Sequence, residues 1–199
     1  MIGMGAFYDC RSLSSVTFPE GLRTIRKMAF CMNETRAAYA YKGSKGKKTS
    51  TLLKTLKLPA SLVEIGDQAF GCCDALTSVV FAKNSELAEL GGQAFTACFH
   101  LKEIALPDSL QRIGEQAFAL CFDLKKADLG QALTKIDREA FHSCSSLVSL
   151  TVPDTLTEIG ENILEDHGEK LVVTCGEGSA MEAYLKQYYP DVQISYPKK

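Results

Sequence analysis

Eight cysteines are the residues of this 199-residue chain best suited to chemistry. A thiolate can serve as nucleophile or metal ligand, and two thiols can oxidise to a bridge. Five of them, Cys10, Cys73, Cys98, Cys121 and Cys144, each stand three places after a phenylalanine. They form one column of a repeat, where the expectation is a small buried hydrophobe with its thiol intact. Turns stacked about 4.8 Å apart fall within disulfide Cα range, so an occasional bridge between turns is open, although parallel side chains would strain it. Zinc needs ligands that converge as a tetrahedron, and residues spread along one column do not. Cys72-Cys73 lacks C-x-x-C spacing, and Cys31, Cys72 and Cys175 fall outside the column.

The remaining reactive types offer less. His100, His142 and His167 occupy three different repeat positions, as surface histidines do. A Cys144–His142 nucleophilic pair would need hydrogen-bond reach and a third orienting group, and the cysteine column is expected to be buried. Carboxylates such as Glu103, Asp108, Glu115, Glu139, Asp154 and Glu158 lie at variable positions, where a solvated face needs charge. No phosphate loop, dinucleotide fingerprint or EF-hand is present, and Gly91-Gly92 and Gly176-Glu177-Gly178 read as turns. The expectation is a chain that is not an enzyme, without catalytic residues, cofactor or metal.

The strongest signal for a partner is charge. Between Glu34 and Lys57 stand seven basic residues, Arg36, Lys42, Lys45, Lys47, Lys48, Lys54 and Lys57, against the one acid Glu34. This local +6 leaves −8 elsewhere in a chain whose net charge is −2. With Tyr39 and Tyr41 beside it, the segment can engage an acidic protein, a sulfated glycan or nucleic acid. It can equally be a solvated loop with no partner, which its composition also fits. The candidate partner-binding residues are Arg36, Tyr39, Tyr41, Lys42, Lys45, Lys47, Lys48 and Lys57.

What must position these residues is a repeat. Phe95, Phe118 and Phe141 are 23 residues apart, each preceded by alanine and followed three places later by cysteine. The same step links Phe7 to Phe30 and Phe141 to Leu164. A period of about 20–29 residues with regular leucines marks a leucine-rich solenoid, and stacked repeats build extended binding surfaces more often than active sites. In the unit from Leu101 to Cys121, Leu101, Ile104 and Leu106 fit a short strand with Ile104 and Leu106 facing inward. Pro107 stops its ladder, Leu110 and Ile113 return to the core, Gly114 permits a bend, and Ala117-Phe118 packs the opposite wall.

Two units depart from the period. Phe30 to Phe70 spans 40 residues, with the excess at about 33–50, and the third unit carries two extra residues around Lys83-Asn84. Insertions into one repeat map to a loop on one face, often the binding face. Outward strand positions hold Ser15 and Thr17, Thr55 and Lys57, Ser78 and Val80, Glu103 and Ala105, Lys126 and Asp128, Ser149 and Thr151. This smooth stripe lacks Trp, Tyr and Arg anchors and suits an extended contact of modest affinity. After the repeats, Leu171–Cys175 reads as a strand, Ser179-x-x-Glu182 as a helix capping box, and Val192–Tyr196 as a last strand. Met181, Tyr184, Leu185 and Tyr188 give the helix its apolar face. The fold class is therefore an α/β repeat solenoid, a leucine-rich repeat of about 23 residues in six copies with a C-terminal strand–helix–strand cap. Residues 1–170 form the solenoid and 171–199 the cap of the same structural domain.

The string Ile113-Gly114-x-x-Ala117-Phe118-x-x-Cys121-x-x-Leu124, with Leu106-Pro107-x-Ser109-Leu110, resembles the BspA-type leucine-rich repeat family over residues 2–164. Gly178-Ser179-x-x-Glu182-x-Tyr184 is similar to that family's C-terminal ending. The resemblance implies a curved solenoid on secreted or cell-surface proteins, mostly bacterial, with adhesion to host matrix proteins and other cells among their roles. It carries no ligand motif, so no functional residue transfers with it. Asn33 departs from the pattern where the column expects cysteine. The expected partner is a protein or glycan surface, and the alternatives are a spacer within a longer surface protein or an intracellular module that binds acidic protein or nucleic acid through the basic segment. A net charge of −2 gives no general attraction to nucleic acid or anionic lipid. No apolar run approaches the roughly 20 residues of a membrane helix. Met1–Gly5 has no basic stretch before an apolar core, so it is not a signal peptide, and it enters directly within a repeat, as a piece of a longer chain would. Unoxidised cysteines favour a reducing compartment, whereas the family resemblance points to the cell surface.

Overall fold

The computed structural model describes residues 1–33 and 51–197. They wind into a parallel-strand solenoid of about six turns with one short helix near the C-terminus. Each complete turn contributes two strands. The first file holds β2 (Thr55–Leu58), β4 (Ser78–Phe81), β6 (Glu103–Ala105), β8 (Lys126–Asp128), β10 (Ser149–Thr151) and β12 (Val172–Thr174). The second holds two-residue strands, β1 (Thr24–Ile25), β3 (Glu64–Ile65), β5 (Glu89–Leu90), β7 (Arg112–Ile113), β9 (Lys135–Ile136) and β11 (Glu158–Ile159), which join as one six-stranded parallel sheet. The sequence motif identifies Ile113 and its equivalents as core, and the structure shows that they also form this ladder.

The third wall is the phenylalanine turn. Phe7, Phe30, Phe70, Phe95, Phe118 and Phe141 stack nearly parallel, with successive ring centroids 4.9, 5.2, 5.3, 5.6 and 5.2 Å apart. Two corners flank each ring, and most are built on non-glycine residues in the left-handed region. The first corner is Met28, Gln68, Gln93, Gln116, Glu139 and Asn162, with φ between 54° and 57°. The second includes Asp9, Cys72, Ala97, Leu120, Ser143 and Asp166. The conformation is held because corner N–H groups bond the next turn, as in Gln116 to Arg138, Phe118 to Ala140 and Leu120 to His142 at 2.8 to 3.0 Å. Side-chain amides add a second ladder, Gln68 to Gln93 to Gln116 to Glu139, at 2.5 to 2.6 Å.

The cap follows the expected order. β12 pairs with β10, helix α1 (Ala180–Tyr188) follows, and β13 (Gln193–Ser195) pairs in parallel with β12. Ser179 Oγ accepts from the Glu182 N–H at 3.2 Å, the first half of the capping box. The return half is shifted by one residue, since Glu182 accepts from the Gly178 N–H rather than that of Ser179. Met181 and Leu185 are buried, but Tyr188 is 59% exposed. Its expected place on the apolar face is thus corrected. Tyr188 lies at the last helical position, where its ring packs beside Tyr184 and not onto the last turn.

Two further expectations fail at the other end. Cys10 is exposed, although the column was expected to be buried, and Phe7 is 38% exposed. Both stand on the first turn, which is covered only by the turn that follows it. Residues 13–18 of that turn form no strand, so Ser15 and Thr17 do not extend the first file.

Candidate functional site

The outward faces of β2, β4, β6, β8, β10 and β12 line one side of the molecule, in two ladders, β2–β4 and β6–β12. In-register neighbours run Thr55–Ser78, then Glu103–Lys126–Ser149–Val172, and beside them Lys57–Val80, then Ala105–Asp128–Thr151–Thr174. The side chains are short and polar, with charges confined to Lys57, Glu103, Lys126 and Asp128. Lys57 is the one named partner-binding residue within the described part, and it lies exposed on β2. Arg36, Tyr39, Tyr41, Lys42, Lys45, Lys47 and Lys48 fall outside the described residues. The chain re-enters at buried Thr51, whose N–H bonds the Asp74 carboxylate at 3.3 Å and whose Oγ accepts from Leu53 at 3.2 Å. From this clamp the chain runs directly into β2, which carries Lys57.

Across the molecule, beside the second file, lies a shallow depression of about 730 Å³. Arg112 pairs with Asp137 and Arg138 with Glu115, both at 2.6 Å, so its charges are largely matched between turns. Another hollow of about 440 Å³ runs between the amide ladder and the second corner, over Thr96, Ala119 and His142. His142 is half-buried, with Nδ1 3.6 Å from the Glu165 carboxylate. His100 is exposed and contacts Asp123 at 2.9 Å, and His167 Nδ1 meets the Gly168 carbonyl at 2.8 Å.

The cysteine chemistry resolves into packing. Cys73, Cys98, Cys121 and Cys144 are buried, and each thiol donates to the carbonyl of the phenylalanine one turn back, at 3.2 to 3.4 Å. Burial pushes the Cys144 thiol up to about 12 and raises those of Cys73, Cys98 and Cys121 well above the ordinary range. Such thiols are poor sources of thiolate. No disulfide joins any of the eight cysteines, and no group of three or more His, Cys, Asp or Glu among the described residues could hold a metal.

A sequence profile of the BspA type leucine rich repeat region matches residues 1–41 and 47–169 in six copies. The chain belongs to this family. The BspA-type repeats thus cover most of both strand files, and the break in the match falls within the basic insertion. A search of curated proteins finds no match. Among solved structures, the pneumococcal vaccine antigen PcpA is similar at 31% identity and a TM-score of 0.58 over 63% of this chain and 31% of its own. A leucine-rich repeat protein of Bacteroides ovatus aligns over 98% of this chain and 56% of its own, at 24% identity and a TM-score of 0.55. The chain spans less than two thirds of the length of either. Among the described residues no helix is long and apolar enough to cross a membrane.

Proposed function

We propose that this BspA-type solenoid is a non-catalytic binding module of a cell-surface protein, with a protein as its partner. The observation that supports it most is the strand face, a broad, regular surface without convergent polar groups of the kind that bind small molecules. The partner lies across β4 to β10, and the basic segment leading to Lys57 adds long-range attraction for an acidic region. Adhesion at the surface of a bacterial cell fits this arrangement, as does the likeness to the pneumococcal antigen.

The test compares the chain with two variants, one carrying Lys126→Glu with Thr151→Arg, and one with residues 34–50 replaced by a short Gly-Ser link. Binding to immobilised extracellular matrix proteins, heparin and nucleic acid is measured at two salt concentrations. Loss in the strand-face variant supports the reading. Loss only in the linker variant, with steep salt dependence, assigns binding to the basic segment. If neither folded variant nor the parent binds any of these, a spacer role replaces adhesion.

A further inference from the structure

The strand face is not continuous. β2 pairs with β4, and β6 opens a separate sheet through β8, β10, β12 and β13, yet no ladder joins β4 to β6. Just before the two strands the Lys102 N–H bonds the Thr77 carbonyl at 3.4 Å. The cause lies just after β4. Where other turns have Pro59, Pro107, Gly130 and Pro153, this one has Ala82, whose N–H donates to the Leu58 carbonyl at 3.0 Å and holds β4 on β2. The two extra residues Lys83 and Asn84 follow, with Asn84 in the left-handed region at φ 60°. The slack lets β4 stay with β2 and part from β6.

The alternation of a parallel ladder fixes which groups face the opening. Leu106 N–H bonds Asp128, so Ile104 and Leu106 turn towards β8, and Glu103 and Ala105 turn both backbone groups towards β4. By the same rule Val79 and Phe81 turn theirs towards β6. The gap between them holds about 350 Å³. Its lips are apolar, with Val80 49% exposed, Ala105 exposed and Phe81 half-buried. Glu103, Asp128 and Lys126 stand beside the lip on the β6 side, and neither Glu103 nor Asp128 makes an ion pair with Lys126.

We propose that this opening is where the strand face grips its protein partner, taking an extended peptide segment with an apolar side chain next to a basic one. The inference rests on the protein-binding reading above. Alternating N–H and carbonyl groups match a peptide backbone, which carries both. The lips shed water against an apolar side chain, and the two carboxylates, which outnumber Lys126, favour a neighbouring lysine or arginine.

The experiment selects random linear peptides displayed on phage against the full chain and measures the affinities of the peptides recovered. Three variants are compared: deletion of Lys83 and Asn84, which restores the 23-residue spacing; Val80→Asp; and the control Leu120→Asp at an exposed corner. Amide exchange at Val79 and Ala105 reports closure of the gap in the deletion, and Val80→Asp decides alone if that variant does not fold. The expected result is peptides sharing an apolar–basic pair that lose about tenfold or more in affinity in the deletion and in Val80→Asp and keep it in Leu120→Asp. Peptides weakened by Thr151→Arg, which lies outside the gap, but indifferent to the gap variants would overturn the inference and leave the strand-face reading standing. Peptides indifferent to every strand-face variant, or gap-dependent binding of heparin alone, would overturn both.

Discussion

Phe7 and Phe118 hold the same repeat position, and the structure predicts very different consequences of truncating them. Phe118 is fully buried, with rings at 5.6 and 5.2 Å on its two sides. Phe118→Ala removes a whole ring and leaves a cavity closed by neighbouring turns, a loss of about 3–5 kcal/mol. Phe7 has one neighbouring ring, at 4.9 Å, and is 38% exposed. Its space opens to water when emptied, so the cavity contribution falls away and only the transfer of its buried fraction remains, about 1–2 kcal/mol. Denaturant unfolding at fixed pH, with linear extrapolation and a check that the slope is unchanged, measures both. A solenoid also permits its first turn to fray alone, so Phe7→Ala should leave unfolding of the later turns unshifted. Equal losses for the two variants would refute the claim that stacking on both sides sets the stability of a turn.

Thiol titration of the native protein should modify Cys10 rapidly and the seven buried cysteines only after denaturation, and fast modification of a column cysteine would contradict the packing. Glu182 is held down to about 2 by Lys186, by the Tyr196 hydroxyl and by the Gly178 N–H. A carboxylate depressed in the folded state stabilises above its unfolded value near 4.3 and loses that contribution as pH falls towards 2. Helix signal and Tyr196 resonances should therefore shift in that window in the parent, and Glu182→Gln should flatten the response. At Ala97, buried with φ 55°, glycine should be neutral to about 1 kcal/mol stabilising and valine destabilising, by thermal unfolding, because the left-handed region penalises a branched Cβ.

The fold was legible because its core is written in residue type. Phenylalanine, leucine and isoleucine recur at fixed spacing, and each becomes a buried column. The corners were not legible. Left-handed conformations usually announce themselves as glycine or asparagine, whereas here Gln68, Gln93, Gln116 and Leu120 adopt them, compensated by hydrogen bonds to the next turn. The end turn misled for a related reason, since the pattern at Phe7 and Cys10 matches the interior and only the absence of a covering turn exposes them. For the candidate site, Lys57 and the outward residues of β2 to β10 fell where alternation puts them, whereas Ser15 and Thr17 did not. The two extra residues at Lys83 were visible as a break in period, but only the structure shows that they open the junction with β6 and not the one with β2.

The corner hydrogen bonds all point one way. At every corner the N–H belongs to the earlier turn and the carbonyl to the later one, from Gly5, Phe7 and Asp9 through to Glu139, Phe141 and Ser143. Three files of aligned peptide dipoles therefore run the length of the molecule, opposite in sense to an α-helix, with the negative pole at the N-terminal end and the positive pole at the C-terminal end. The formal charges sit where such a field favours them. Arg11 and Arg23 on the first turn with Arg26 and Lys27 on the second outnumber Asp9 and Glu20, and Glu158, Glu161, Glu165, Asp166 and Glu169 outnumber Lys170 on the last. The phenylalanine wall is thus electrically polar along the axis, offset in part by the second file, where Gly66, Gly91, Gly114 and Gly160 donate back to the earlier turn.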